Sequence, residues 1–113
     1  FIDKRANVVA IISNDGWAGK TSGYLQNSSY ASSLAVSLQR QVVRCSATGI
    51  SRFIDIDGRS SNEILWGEKD VKSKRIFLHH TKTPYALFGD YVGKISLGIT
   101  FLLFVLAIIR RKK

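Results

Sequence analysis

Hydrophobic and polar positions divide the chain into short segments of different period. Val8 to Ile12 is a continuous apolar run of strand length, which predicts a strand buried on both faces. Ser13 to Gly23 carries three glycines with Asn, Asp and Ser, and predicts a loop at that strand's C-terminal end. From Tyr24 the period becomes helical: Ala31, Leu34, Ala35 and Leu38 fall at i, i+3, i+4 and i+7, while Ser28, Ser29, Ser32, Ser33 and Ser37 fall mostly off that stripe. The helix should therefore pack by a narrow face of small residues. Val42 to Ser46 predicts a second strand, Ala47-Thr48-Gly49 a turn, and Ile50 to Ile56 a third strand closed by the hairpin signal Asp57-Gly58. Ile64 to Trp66 and Arg75 to Leu78 predict further strands. Thr83-Pro84-Tyr85 interrupts that pattern. A strand, helix, strand order followed by hairpins predicts an α/β layer with helix on a mixed sheet. So few elements bury little apolar area against the entropy of the chain, so partner strands are expected upstream.

The last apolar stretch differs in kind. Tyr91 to Ile109 reads YVGKISLGITFLLFVLAII, with no charge from Ile95 to Ile109, and Arg110, Arg111, Lys112 and Lys113 follow it. As a helix it would span roughly 28 Å, about the hydrocarbon thickness of a bilayer. Lys94 is near enough to one end to carry its ammonium to the interface. Tyr85, Phe88 and Tyr91 precede it, where aromatic rings suit the headgroup layer. A helix apolar all round and closed by a basic cluster predicts a membrane span with that cluster in the cytoplasm, and everything before Tyr91 on the other side.

Charge changes the picture little once it is located. The net charge is +9, but Lys94 and the four terminal cations account for five of the positive groups, leaving 12 basic against 8 acidic residues over positions 1–93. No basic stripe interleaved with aromatics occurs, so a nucleic-acid partner is not expected. The chain has no Met and begins at Phe1, which leads us to expect a piece of a longer protein. Cys45 is the single cysteine, so no disulfide within the chain is expected. With His79 and His80 alternating across a strand, it is also too little for a structural zinc site. Asp55 and Asp57 share a strand face, but a DG turn accounts for Asp57, and no pocket makes them an acid/base pair.

The stretch VVAIISNDGWAGKTSGYLQ (Val8 to Gln26) has the strand, glycine turn and helix of a phosphate-binding loop, ending in Gly19-Lys20-Thr21. The spacing excludes it. The glycine such a loop needs five positions before Gly19 is Asn14, and Asp15 would put negative charge where phosphates should lie. Asn14, Asp15 and Trp17 are the better candidates, since they stand at a strand's C-terminal end, where α/β sheets place ligand sites. Trp17 offers an apolar face, and Asn14 and Asp15 suit Asx-type hydrogen bonds that fix the loop. Turn geometry alone would account for all three equally well.

In order along the chain, ISNDGWAG (Ile12 to Gly19), RQVVRCSATGIS (Arg40 to Ser51), IDIDGR (Ile54 to Arg59) and TPYALFGDY (Thr83 to Tyr91), followed by one span, resemble the C-terminal part of bacterial apolipoprotein N-acyltransferase. The resemblance implies the C-terminal part of a nitrilase-like (carbon–nitrogen hydrolase) α/β sandwich over 1–82, a membrane-interface linker over 83–93, and a transmembrane helix with cytoplasmic basic tail over 94–113. It implies transfer of an acyl chain from a phospholipid to an enzyme cysteine as a thioester, then to the N-terminal diacylglyceryl-cysteine of a lipoprotein. The family uses a Glu general base, a Lys oxyanion stabiliser and a Cys nucleophile. All three are expected upstream of Phe1, so this chain contributes no catalytic residue and no metal or cofactor is expected. Cys45 falls in the family's R-A-T-N-x-G segment, away from the nucleophile, and is expected to be a core cysteine. The resemblance places Asn14, Asp15 and Trp17 beside the acyl pocket as substrate-binding residues. Where the family usually has Phe, this chain has Ala18, which alters the pocket wall. Implied partners are the phospholipid donor, the lipoprotein acceptor and the bacterial inner membrane, with the domain on its external side. The rival expectations are a membrane-tethered nitrilase-type amidase and a non-enzymatic membrane-anchored module.

Overall fold

A computed structural model describes residues 6–111. Its sheet has four strands in the order β1 (Val8–Ser13), β2 (Gln41–Ser46), β3 (Ser51–Ile54) and β4 (Ser60–Ile64). β1 and β2 run parallel, with Val8 opposite Gln41 and Ser13 opposite Ser46, and are joined by helix α1 (Ser22–Leu38). β2, β3 and β4 are antiparallel neighbours. The expected mixed sheet with helix against it is therefore present.

Local chemistry explains the boundaries. Thr21 opens α1, its Oγ1 accepting from the Gly23 N–H at 3.3 Å, so the helix begins two residues before the expected Tyr24. Its end is a left-handed Gln39 (φ 51°), after which the buried Arg40 donates from Nη1 to the Gln39 and Thr81 carbonyls (2.8 and 2.6 Å) and from Nε to Ala6 (3.0 Å). A cation against the last carbonyls of a helix suits its dipole. This one also ties down the chain at Thr81, ahead of the C-terminal helices. The β3–β4 turn uses Gly58 at φ 84°, with the Asp57 carboxylate accepting from the Arg59 N–H at 3.0 Å.

α1 packs on one face of the sheet through small residues, as its pattern predicts. Ala31 and Ala35 are buried with Val42 and Ile54, and Val9 and Ile11 pack around them. Ser28, among the serines expected mostly off the stripe, is buried in line with Ala31 and Ala35; Arg52 reaches over from β3 and donates to its carbonyl at 2.7 Å.

Other expectations need correction. β1 is not covered on both faces: Ile12 is 90% exposed and Ala10 is exposed, because α1 lies on one side only and β1 is a sheet edge. Cys45, opposite Ile12 on that uncovered face, is exposed and is not a core cysteine. β3 ends at Ile54, and β4 is the polar Ser60–Ile64 where Ile64 to Trp66 was expected. Trp66 instead lies past the strand and packs on Tyr24, ring centroids 4.7 Å apart. Arg75 to Leu78 forms no strand, so His79 and His80 do not alternate across one. That segment crosses the sheet, where Lys74 and Ile76 lie against Val43 and Phe53, and the Phe77 N–H donates to Gln41 Oε1 at 2.6 Å. Asp55 and Asp57 both lie beyond β3. Asp55 takes hydrogen bonds from Gln41 and from Lys74 Nζ (3.0 Å), which hold its carboxyl below the ordinary value.

Beyond Thr83, whose hydroxyl donates to the Ser37 carbonyl at 2.5 Å, come a short helix α2 (Pro84–Phe88) and the helix α3 (Tyr91–Arg111). α3 has 21 residues, is long and apolar enough to cross a membrane, and none of its residues is buried against the rest of the chain. An uncovered apolar rod of this length is unstable in water and suits lipid.

Candidate functional site

Parallel pairing of Ser13 with Ser46 brings the C-terminal ends of β1 and β2 side by side, and the loops that leave them interlock. The Ala47 N–H donates to the Ser13 carbonyl at 3.0 Å. Between the two loops lies Asp15, 1% exposed. Its Oδ2 accepts from Arg44 Nη2 at 2.6 Å and from Ser46 Oγ at 3.0 Å, and its Oδ1 from Ser13 Oγ at 2.8 Å and Asn27 Nδ2 at 2.7 Å. β1, α1 and β2 thus all contribute to one carboxylate. Burial pushes the Asp15 carboxyl up, but the donors from Ser13, Arg44, Ser46 and Asn27 together outweigh burial and hold it below its ordinary value. Arg44 is itself 3% exposed and donates from Nε to the Ile50 carbonyl at 3.2 Å.

The remaining wall is Gly49. A Cβ placed on it would stand 2.8 Å from Asp15 Cγ and 2.9 Å from Asp15 Cβ, so the Ala47-Thr48-Gly49 turn can close over the carboxylate only with glycine there. The Gly49 N–H donates to Ser46 Oγ at 3.1 Å, which joins the turn to the same network.

Asp15 also starts the turn that displays the other two candidates. Its carbonyl accepts from the Ala18 N–H at 3.0 Å, closing a single 3-10 turn over Gly16–Ala18. Asn14 is exposed, and its Oδ1 accepts from the Gly16 N–H at 3.1 Å, the Asx-type bond its sequence context predicts. Trp17, at the turn's centre, is 83% exposed. The three residues are together on one loop but in different settings: a buried peg, an exposed turn-former and a projecting indole.

Arg44, Ser46, Asn27, Ser13 and Gly49 complete the site and were not singled out by the sequence. One signal was present. Val42, Arg44 and Ser46 share the helix-facing side of β2, and a cation among core positions requires a buried partner.

A groove of about 370 Å³ runs along α1, from Tyr85 of α2 past Leu34, Ala31 and Tyr30 to Asn27 and Arg44. Asn27 and Arg44, two of the donors to Asp15, line this groove together with Tyr85. Cys45 lies elsewhere, exposed on the sheet face away from α1 and beside the 69–72 segment, with no hydrogen bond to a basic side chain among the described residues. Among those residues, no three His, Cys, Asp or Glu side chains gather as a metal site.

No family model matches the chain. Curated relatives do. An apolipoprotein N-acyltransferase of Chlorobaculum tepidum is 30% identical over 112 residues, covering 99% of this chain and 21% of the relative. Proteins of the same name from Haemophilus influenzae and Caulobacter vibrioides are 32% and 34% identical over 103 and 90 residues, covering 89% and 78% of this chain. The chain spans about a fifth of the length of these relatives. On a likeness that runs along nearly its whole length, the chain belongs to the apolipoprotein N-acyltransferase family.

Proposed function

We propose that this chain is the C-terminal part of an apolipoprotein N-acyltransferase, an enzyme that moves an acyl chain from phospholipid to the N-terminal diacylglyceryl-cysteine of lipoproteins. The observation that carries this reading is the likeness to proteins of that name over 99% of the chain, combined with an uncovered apolar helix at its end. Residues 1–82 are the end of a nitrilase-like sandwich, 83–93 the linker at the membrane surface, and 94–113 the span with a cytoplasmic basic tail. The exposed edge and outer face of β1, with Ile12 and Ala10, suit a sheet that the rest of a longer protein completes.

In this reading a thiolate elsewhere in the longer protein attacks the phospholipid ester carbonyl and expels the lysophospholipid alkoxide, which takes a proton. The lipoprotein's α-amine then attacks the thioester, forms the amide and releases the thiolate, its proton passing to the general base that had protonated the alkoxide. The part played by this chain is binding. Both oxygens of the Asp15 carboxylate are occupied within the chain, so Asp15 holds the loop, while Trp17 meets the acyl chain with its apolar face. The groove along α1, with Tyr85, Leu34, Ala31 and Tyr30 in its lining, also includes Asn27 and Arg44, two of the side chains that hold Asp15. Trp17→Ala in the longer protein tests this: slower acylation from phospholipid is expected, and an unchanged rate would remove Trp17 from the site.

A further inference from the structure

We propose that Arg44 and Gly49 are positioning residues that act through Asp15, fixing the carboxylate beneath the 14–19 loop and thereby setting where Trp17 stands. The positioning follows from geometry; its consequence for catalysis rests on the acyl-site reading above. Asp15 is the last point at which the loop is anchored before the indole. Its side chain is held from three elements, and its carbonyl closes the turn that carries Trp17. Beyond that, Trp17 is 83% exposed, so its position is inherited from the backbone beneath it. Gly49 is not in a left-handed conformation, so alanine there meets little backbone strain. Its methyl group would collide with the Asp15 side chain, 2.8 Å from Cγ. A substitution 32 residues away along the chain therefore acts on the Trp17 loop through one carboxylate.

The test follows Trp17 directly, in the full chain reconstituted in lipid nanodiscs with Trp66→Phe as background. Time-resolved fluorescence anisotropy of Trp17 should show a fast local component at least about twice as large in Gly49→Ala and Asp15→Asn as in the background chain. Arg44→Lys, which keeps the charge but loses the fork that reaches both Asp15 and Ile50, should fall between. Arg59→Ala, on the exposed turn beside Asp57, should leave the signal unchanged. In the longer protein, Gly49→Ala should lower acyl transfer by about tenfold or more through a raised KM for phospholipid, with Arg59→Ala as control.

Trp17 as ordered in Gly49→Ala and Asp15→Asn as in the background, with near-UV circular dichroism retained, overturns the proposal. Should both variants fail to fold, Asn27→Ala decides, since it removes one donor and keeps the ion pair: a looser Trp17 upholds the proposal and an unchanged one overturns it. A loosened Trp17 with undiminished acyl transfer upholds the positioning and removes the acyl-site reading.

Discussion

Asp15→Ala gives the largest expected loss of stability from a single side chain outside the apolar core. It leaves the Arg44 guanidinium, 3% exposed, without its counter-charge while its Nε remains bound to Ile50. Breaking a buried pair by removing one partner costs about 3–5 kcal/mol, because a desolvated charge is left behind. Ser13, Asn27 and Ser46 lose acceptors as well, but Asn27 Nδ2 already lies 3.4 Å from Ser13 Oγ, so part of that loss is recovered locally. Asp15→Ala/Arg44→Met removes both charges and fills the space with an apolar chain, and should restore all but about 1–2 kcal/mol. Urea unfolding of the chain in detergent micelles, followed by near-UV circular dichroism, measures both. A loss below about 1 kcal/mol for Asp15→Ala, or a double variant as unstable as the sum of the singles, would refute the view that the network is a desolvated ion pair.

The same carboxylate sets a pH dependence. Its folded pKa lies below the ordinary 3.8, so its contribution is complete above the unfolded value and is lost as pH falls below it. The urea midpoint should be flat from pH 7 to about 5 and fall below about 4, with a shallower fall in Asp15→Asn. Trp17→Ala, on an indole that supports no core, should change stability by no more than about 0.5 kcal/mol while slowing acylation in the longer protein; a large loss of stability would make Trp17 structural. Cys45→Ser should leave thioester formation in the longer protein intact, and Cys45 in the native chain should react readily with a maleimide; slow labelling would contradict its exposed place on the sheet. Phe101→Arg, near the middle of α3, should add about 2.5–3.5 kcal/mol to the cost of membrane insertion, read from the inserted fraction in a glycosylation-site assay; full insertion would argue against a span centred there.

β1, β2 and α3 were legible as apolar runs of strand or membrane-spanning length, and α1 from the helical spacing of Ala31, Leu34, Ala35 and Leu38. β4 was not. Ser60–Ile64 is polar and half-exposed, and its strand conformation comes from the Asp57-Gly58 turn folding it back on β3. Arg75 to Leu78 misled in the opposite direction, since a segment crossing the face of a sheet shows the apolar residues of a strand without pairing as one. The exposure of Ile12 and Cys45 was illegible for a different reason: an apolar strand reads the same whether or not its second face has a cover. Asn14, Asp15 and Trp17 were found as a loop at a strand end, yet Asp15's partners reach as far as Ser46, 31 residues away, and only the parallel register of β1 and β2 assembles them.

The most direct test of the account is to map the acyl thioester. The longer protein is incubated with phospholipid carrying a labelled acyl chain, trapped without acceptor, and digested for mass spectrometry. The account predicts the label on a cysteine outside residues 1–113. A label on Cys45, or a protein that forms no acyl-enzyme, would contradict it.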